Sequence, residues 1–216
     1  MEFKNVGVVG FEHAIRGMRN PKESWDKSDS KTIPIEDRPG FSKFVIGDND
    51  LKLMQSLIKA GPEHRKFMRQ IIVYVDISAP LYWWKEFDTY KVGTVANSTS
   101  TMHKITSKPI TLDCFEIDDM KDFEQSYLQD VVNMCEDYRT QYLESKDYDV
   151  WKALIRLLPE SWIQTRTVSM NYENLLAMCS KGQRRFHKLT EWSKSFIDFA
   201  RKLPYAQELI FLDELN

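Results

Sequence analysis

Residues 79–104 read APLYWWKEFDTYKVGTVANSTSTMHK, and this stretch joins an aromatic helical pattern to a polar loop. Pro80 suits the first turn of a helix, and Leu81, Trp84 and Phe87 then fall on one side of it. The loop that follows is dense in Thr, Ser, Asn and His. Such side chains pack poorly but form hydrogen bonds readily. The stretch therefore predicts a helix against a core, followed by a loop suited to the phosphate, sugar or base edges of a ligand.

The composition is that of an ordinary globular protein, with 216 residues, 42% of them hydrophobic and 29% charged. Aromatic residues are plentiful and no segment resembles a linker, so we expect a single domain over residues 1–216. A net charge of −2 predicts no binding to duplex nucleic acid. The longest apolar runs are only a few residues, so we expect no membrane span.

The three cysteines, Cys114, Cys135 and Cys179, lie far apart, and no C-x-x-C spacing occurs. A zinc site built on cysteine pairs is therefore not expected, and no metal site is predicted. Sparse thiols are typical of a reducing compartment, and the N-terminus does not resemble a signal peptide. These features predict a cytoplasmic protein.

Hydrophobic periodicity predicts an α+β fold in which long helices pack a small antiparallel or mixed sheet. Residues 17–46 are punctuated by Gly and Pro and predict an irregular surface excursion. Asp48, Asn49 and Asp50 are candidate caps for a helix, and Asn171 is another. Helices are expected near residues 51–58, from Pro80 onward, and near 116–145, 148–158, 172–178, 189–202 and 208–212. Strands are expected near residues 6–11, 71–77 and 165–170, and a short turn near 63–68.

The quoted stretch also resembles a known signature. A strand, Ala79-Pro80 and an aromatic helix precede the signature R-H-R-x-x-S-x-N-x-x-S-x-R-Y in the flavin-dependent thymidylate synthases. Asn97 and Ser100 keep the N-x-x-S spacing, and Thr94 stands for the earlier Ser. Two further blocks are similar in order and spacing, LPES at 158–161 with NYENL at 171–175, and RRFH at 184–187. FMR at 67–69 is similar to the family's F-E-H.

Several positions depart from the family pattern. Thr89-Tyr90-Lys91, or the triplet shifted by one position because this loop holds one extra residue, replaces R-H-R. Glu86 stands where the family has Gln. Met102 replaces the later Arg, His103 replaces the Tyr, and Glu173 replaces an Arg in the second block. The chain thus resembles a diverged branch of the family, of the kind found in phages and prophages.

The resemblance implies a ligand set and an assembly. That family methylates dUMP with methylenetetrahydrofolate, uses FAD as reductant, and is a homotetramer with active sites between subunits. It implies Ser100 and His103 as catalytic candidates. It implies a nucleotide-binding set of Glu86, Lys91, Asn97, Ser100, Arg166, Arg184 and Arg185. It implies a cofactor-binding set of Arg69, Thr89, Tyr90, Lys91, Thr94 and Asn171.

Three functional classes stay open on the sequence. The first is a nucleotide-methylating flavoenzyme, and the second is a non-catalytic relative that binds a nucleotide as sensor, sponge or inhibitor. The third is a structural or interaction protein, in which Trp83 and Trp84 form core or interface. Residues 98–101 can also simply form loop and cap hydrogen bonds, and His103 can be a plain surface residue. No Walker loop, G-x-G-x-x-G, G-x-S-x-G or H-E-x-x-H pattern is present, which argues against common NTPases, hydrolases and zinc proteases.

Overall fold

The helices and strands follow the predicted α+β pattern in a computed structural model that describes residues 1–37, 40 and 42–215. The strands are β1 (Glu2–Val9), β2 (Lys31–Pro34), β3 (Ser42–Val45), β4 (Ile72–Pro80), β5 (Val95–Ser98) and β6 (Ile163–Asn171). The helices are α1 (Phe11–Arg19), α2 (Asp48–Lys59), α3 (Leu81–Phe87), α4 (Thr101–Lys104), α5 (Asp122–Ser145), α6 (Tyr148–Leu157), α7 (Tyr172–Met178), α8 (Lys181–Phe186), α9 (Ile197–Arg201) and α10 (Ala206–Leu209). A π-helical stretch, Glu191–Phe196, precedes α9. In the described part of the chain, no helix is both long and apolar enough to cross a membrane.

The main sheet has four strands in the order β1-β4-β6-β5. Residues of β4 and β6 meet in antiparallel register. The Tyr172 backbone amide donates to the Ile71 carbonyl at 3.0 Å, and the hydroxyl oxygens of Ser78 and Thr165 lie 2.7 Å apart. β2 and β3 form a separate antiparallel hairpin. The predicted fold class, a small sheet packed by helices, is confirmed.

One of two compact units comprises Met1–Lys4, Asp76–Thr89 and Ala96–Thr167. Its core is an apolar cluster below the long helix α5, which packs along α6. The buried members of that cluster are Ile105, Ile110, Phe115, Val132, Cys135 and Leu154. The predicted long helix is confirmed, although it begins at Asp122 rather than near residue 116. We call this part of the chain the first unit.

The second unit comprises Asn5–Val75, Tyr90–Val95 and Val168–Asn216. It contains α1 and α2, and it also contains the helices that follow β6. All four strands of the main sheet contribute residues to both units, and the single domain over residues 1–216 stays a prediction.

The predicted irregular excursion of residues 17–46 is partly regular, which corrects the sequence interpretation. It includes the end of α1, two short 3-10 turns and the β2–β3 hairpin. β2 and β3 have only four residues each. Alternation of apolar and polar residues over so short a stretch is too weak a pattern to predict a strand. Residues 38, 39 and 41 of this segment lie outside the described residues.

A buried ion pair organises this segment inside the second unit. The Arg19 Nε donates to Asp50 Oδ1 at 2.7 Å, and the two side chains are 5% and 0% exposed. The remaining Arg19 nitrogens donate to the carbonyls of Ser24 and Lys27. On the other side, Asp50 accepts the hydroxyls of Ser28 and Ser30 at 2.7 and 2.6 Å. Because every polar group of the pair has a partner, the cost of burying two charges is offset.

The start of α2 differs from the predicted cap. Gly47 is the N-cap residue, and it provides no side chain to cap the helix. Instead Asp29, from the excursion, accepts the backbone amides of Asn49 and Asp50 at 2.9 and 3.1 Å. Asp48 is exposed and Asp50 is committed to Arg19, so the predicted capping role of residues 48–50 is wrong. By contrast, Asn171 caps α7 as predicted, in a reciprocal pair with Asn174.

We expect Asp50→Ala to lower the free energy of unfolding by roughly 3–5 kcal/mol, because it leaves the Arg19 guanidinium buried without its counter-ion. Urea denaturation followed by circular dichroism measures this. Asp48→Ala, on the same first turn but exposed, is the matched control and should change stability by about 0.5 kcal/mol. Equal effects of the two substitutions would show that the pair does not organise the segment.

Stability should also depend on pH through Asp50. Burial would raise the pKa of this carboxyl, but the hydrogen bonds from Ser30, Ser28 and Arg19 outweigh burial and hold it below its ordinary value of 3.8. The folded state therefore binds this proton less tightly than the unfolded chain does. The stability that Asp50 contributes is complete above the pKa that its carboxyl has in the unfolded chain. It is lost as pH falls through the lower pKa of the folded state. The unfolding free energy of Asp50→Asn should fall less steeply below about pH 4 than that of the unchanged protein, and parallel curves would contradict this assignment.

Candidate functional site

The loop at residues 90–95 is attached to the start of α7 by a glycine contact. Gly93 has φ +83°, and a Cβ there would lie 2.8 Å from Asn171 Nδ2. The Asn174 side-chain amide donates to the Val92 carbonyl at 2.6 Å. Only a residue without a side chain allows this approach at positive φ. Asn171, which the resemblance assigns to the cofactor, thus caps α7 and packs against Gly93 of this loop.

Tyr90 begins the loop and has partners in the second unit. Its ring stacks on Trp192 with centroids 5.5 Å apart, and Trp192 also stacks on His187 at 5.1 Å. The Tyr90 hydroxyl accepts the Gln183 side-chain amide at 2.8 Å. One face of the Tyr90 ring, which the resemblance assigns to the cofactor, therefore already contacts Trp192.

The polar residues beside Tyr90 mostly form local bonds. The Thr89 hydroxyl donates to the Glu86 carbonyl at the end of α3, and the Thr94 hydroxyl donates to the Tyr90 carbonyl. Lys91 is exposed and makes no ion pair among the residues that the structure describes. Lys91 is thus the cation of this loop that remains available to an anion.

Glu173, on the first turn of α7, joins two arginines. One carboxylate oxygen accepts a hydrogen bond from Arg69 Nε. The other accepts a hydrogen bond from Arg65 Nε at 3.3 Å. Burial would raise the pKa of Glu173, but the bonds from Arg69 and Arg65 hold it below its usual value. The carboxylate that replaces a family arginine is therefore neutralised within the second unit. Arg69, assigned to the cofactor, serves as its partner.

Arg166, on β6, is held by three groups of the first unit. Its Nη1 donates to both oxygens of Asp88 at 2.9 and 3.2 Å, and its Nε donates to Gln164 at 2.9 Å. The guanidinium lies 4.3 Å from the centre of the Trp84 ring. Only 16% of the side chain is exposed. Packing and pairing thus hold Arg166 in one orientation.

Gln164 links this cluster to residues 98–101, which we call the Ser-Thr loop. Its side-chain amide donates to the Thr99 carbonyl at 3.0 Å, and the Thr99 amide donates to Thr165 at 2.9 Å. Ser100 then caps the four-residue helix α4 by accepting the His103 amide at 3.1 Å. His103 and Asn97 are exposed. The structure therefore connects Arg166 to the loop that carries Ser100, and the cap leaves the Ser100 hydroxyl proton able to donate.

The two arginines of α8 have different environments. Arg184 is 10% exposed and donates to the Cys179 carbonyl and to Asp213, both at 2.6 Å, and it also pairs with Glu214. Arg185 is exposed and makes no ion pair in the described ranges. Arg184 thus stabilises the C-terminal segment, whereas Arg185 is available to an anion.

Comparison with solved structures identifies the fold. A crystal structure of thymidylate synthase X from Helicobacter pylori with FAD and dUMP matches with a TM-score of 0.73 and 15% identity, covering 100% of both chains. A second structure of that enzyme, also with FAD and dUMP, matches with a TM-score of 0.69 and 14% identity over 99% of each chain. The chain has the thymidylate synthase X fold. No protein-family model and no curated protein matches the sequence.

Within this thymidylate synthase X fold, the predicted site residues are divided between the units. The first unit holds Glu86, Thr89, Asn97, Ser100, His103 and Arg166, and the second holds Arg69, Tyr90, Lys91, Thr94, Asn171, Arg184 and Arg185. Their roles stay predictions. No group of three or more His, Cys, Asp or Glu side chains suited to a metal ion occurs in the described part.

Sequence reasoning missed the carboxylates and amides that hold the predicted cations. Asp88 is 78 positions from Arg166, and Glu173 is 104 positions from Arg69. Gln164 and Gln183 lie in no motif that the sequence analysis recognised. No local pattern in the sequence indicates that Glu173 is paired, because Arg65 and Arg69 lie 108 and 104 positions away from it.

We expect Gly93→Ala to destabilise the attached 90–95 loop by roughly 1–3 kcal/mol, because the new Cβ meets the Asn171 amide and the positive φ disfavours alanine. Faster amide hydrogen exchange at residues 90–95 is the measurement. Gly182→Ala in α8 is the control, since a Cβ there meets nothing within 4 Å and alanine favours a helix. Unchanged exchange in the Gly93 variant would show that the loop does not depend on this close approach.

Proposed function

We propose that the chain binds a pyrimidine deoxynucleotide resembling dUMP, and that it methylates C5 of the base where the catalytic machinery is complete. The observation that carries this proposal is the full-length likeness to a thymidylate synthase X structure that holds FAD and dUMP. Residues 97–103 support it, because Asn97 and His103 present exposed polar side chains and Ser100 a partly exposed one. Such groups suit the base and sugar edges of a nucleotide.

A nucleotide phosphate needs cations, and the chain supplies them in two forms. Lys91, Lys104 and Arg185 are exposed without ion pairs in the described residues. Arg166 is held by Asp88, so a phosphate must compete with that carboxylate for the guanidinium. Guanidinium favours phosphate because its planar fork matches two oxygens at once. We therefore propose Arg166 as the residue that exchanges Asp88 for the nucleotide phosphate.

The six residues assigned to FAD do not form a ready cation cradle in this chain. Arg69 is paired with Glu173, Asn171 caps α7, and Thr89, Thr94 and Tyr90 form the bonds described above. Lys91 alone among the six keeps an unpaired charge in the described part of the chain. As they stand, these residues do not fit a dinucleotide carrying a pyrophosphate. FAD is therefore proposed on the likeness in fold alone.

A second function is favoured by the pairing of the arginines. Arg69, Arg166 and Arg184 each contact a carboxylate, so their charges are compensated without a ligand. A protein of this kind would bind a nucleotide without methylating it and act as sensor, sponge or inhibitor.

We also propose a homotetramer, because the resembling family builds its sites between subunits. The outer face of α5 supports association, since Phe123, Tyr127 and Met134 lie on one side of this helix and are 59%, 71% and 48% exposed. Large exposed apolar side chains in one stripe are typical of an interface. The three cysteines are free thiols, which supports the proposed cytoplasmic location. A phage or prophage origin stays a prediction.

The test combines the absorption spectrum of the purified protein with calorimetric titration of dUMP. Flavin absorbance together with dUMP binding would support the enzyme, and methylation of dUMP would then be assayed directly. Binding of dUMP by a colourless protein, even with added FAD, would favour the non-catalytic function. Binding of neither ligand by a stable oligomer would contradict both proposals and leave the structural class.

Asp88→Asn tests the phosphate assignment in the same titration. It removes the carboxylate that competes for Arg166, so dUMP should bind roughly threefold to tenfold more tightly. Asp118→Asn is the matched control, because Asp118 is an exposed carboxylate of the same unit. An unchanged dUMP affinity in the Asp88 variant would show that Arg166 does not contact the phosphate.

A further inference from the structure

A cavity of about 440 Å³ lies in the second unit. None of its lining residues belongs to the Ser-Thr loop, and Arg166 does not line it. Its walls come from the end of α2, residue 65, the end of α7, the start of α8 and the C-terminal segment. A small-molecule pocket typically encloses about 300–1,000 Å³. The cavity is thus large enough for a ligand of the size of a mononucleotide.

Cations dominate the charged groups of the wall. Lys59, Arg65, Lys181 and Arg184 line the cavity, whereas Asp213 is the one carboxylate among its lining residues. Arg184 is occupied by Asp213 and Glu214. Lys59 and Lys181, by contrast, make no ion pair within the described ranges. Two ammonium groups at one opening therefore lack a counter-charge from the protein.

Arg65 adds a directed donor to this wall. Its Nε is bound by Glu173 at 3.3 Å, which fixes the side chain, and 25% of that side chain remains exposed. The two Nη groups have no acceptor among the described residues. A guanidinium held by its Nε presents the Nη pair to an incoming anion. Glu173 thus acts as a positioning residue for Arg65.

The floor of the cavity is apolar. Ile58 and Ile210 are buried at 7% and 1% exposure, and Leu176 and Leu212 complete the lining beside them. An apolar floor below a cationic rim suits a ligand with one strongly anionic end and one apolar end. Inorganic phosphate would bind the cationic side chains of the rim but would leave the apolar floor without a contact.

We propose that this cavity is a second binding site, which takes a phosphomonoester of a small, largely apolar alcohol. Lys59, Lys181 and Arg65 bind the phosphate, and the organic group contacts Ile58, Leu176 and Ile210. The site goes beyond the nucleotide site proposed above, because its lining shares only Arg184 with the residues assigned to dUMP or FAD. Arg184 already has carboxylate partners. A ligand here would contact α2, α7, α8 and the C-terminal segment together.

Calorimetric titration with phenyl phosphate, inorganic phosphate and phenol tests the site on the full chain. Phenyl phosphate should bind about tenfold more tightly than phosphate, because the phenyl ring leaves water for the apolar floor, and phenol should not bind measurably below about 10 mM. Equal affinity for phenyl phosphate and phosphate would overturn the role of the floor. No binding of phenyl phosphate below about 10 mM would overturn the site.

Two variants locate the binding. Lys59→Gln/Lys181→Gln should weaken phenyl phosphate roughly tenfold through loss of two charge-assisted bonds, while Lys85→Gln/Lys108→Gln, with the same change in net charge in the first unit, should change it less than about twofold. Ala177→Phe fills the cavity from an exposed position and should abolish binding without altering charge. Thermal unfolding confirms that each variant is folded. Equal weakening in both double variants would overturn the location.

The outcome is separable from that of the proposed nucleotide site. Asp88→Asn alters a group of the first unit and should leave phenyl phosphate affinity unchanged while it changes dUMP affinity. The Lys59 and Lys181 substitutions should do the reverse. If Asp88→Asn changed both affinities in parallel, a single site would account for both ligands and the second site would be refuted.

Discussion

The antiparallel pairing of β4 with β6 is the constraint on which the other features depend. The Ile71 carbonyl accepts the Tyr172 amide, and Asp76 and Ser78 contact Thr167 and Thr165 further along. A slip of one residue would turn every side chain of one strand to the opposite face. This register places Arg166 where Asp88 and Trp84 can hold it, and it places Asn171 where it can cap α7. The strands thus position residues that belong to distant parts of the sequence.

Electrostatic compensation is the second organising feature. Arginines of this chain find carboxylates within their own unit, as Arg19 does with Asp50, Arg166 with Asp88, and Arg69 and Arg65 with Glu173. A buried charge without a partner is costly, so such pairing is the expected state of a folded chain without a ligand. It also means that an anion must displace a carboxylate or use the remaining lysines.

Order in the segment after α1 has a physical cause that composition conceals. Its Gly, Pro, Ser and Asp content is typical of an irregular surface segment, which is what the sequence predicts. Arg19 instead donates to carbonyls of residues 24–27, and Asp50 accepts hydrogen bonds from hydroxyls of residues 28–30. Asp29 of the same segment caps α2. The segment and the helix thus stabilise each other. Neither half of this exchange can be inferred from a local pattern, because the partners are about twenty to thirty positions apart.

Features set by neighbours in the chain were determined by the sequence alone. The period of α5, the β-branched run of β4, the helix after Pro80 and the Asn171 cap each depend on residues a few positions apart, whose geometry is the same in any protein. The likeness to thymidylate synthases also came from local motifs. Only the tertiary structure decided which carboxylate each arginine contacts, which face of Tyr90 is covered, and that a cationic cavity lies beside the C-terminal segment. The arginine–carboxylate pairs join residues up to 108 positions apart, and charge alone does not select one partner among many until packing brings two groups within reach.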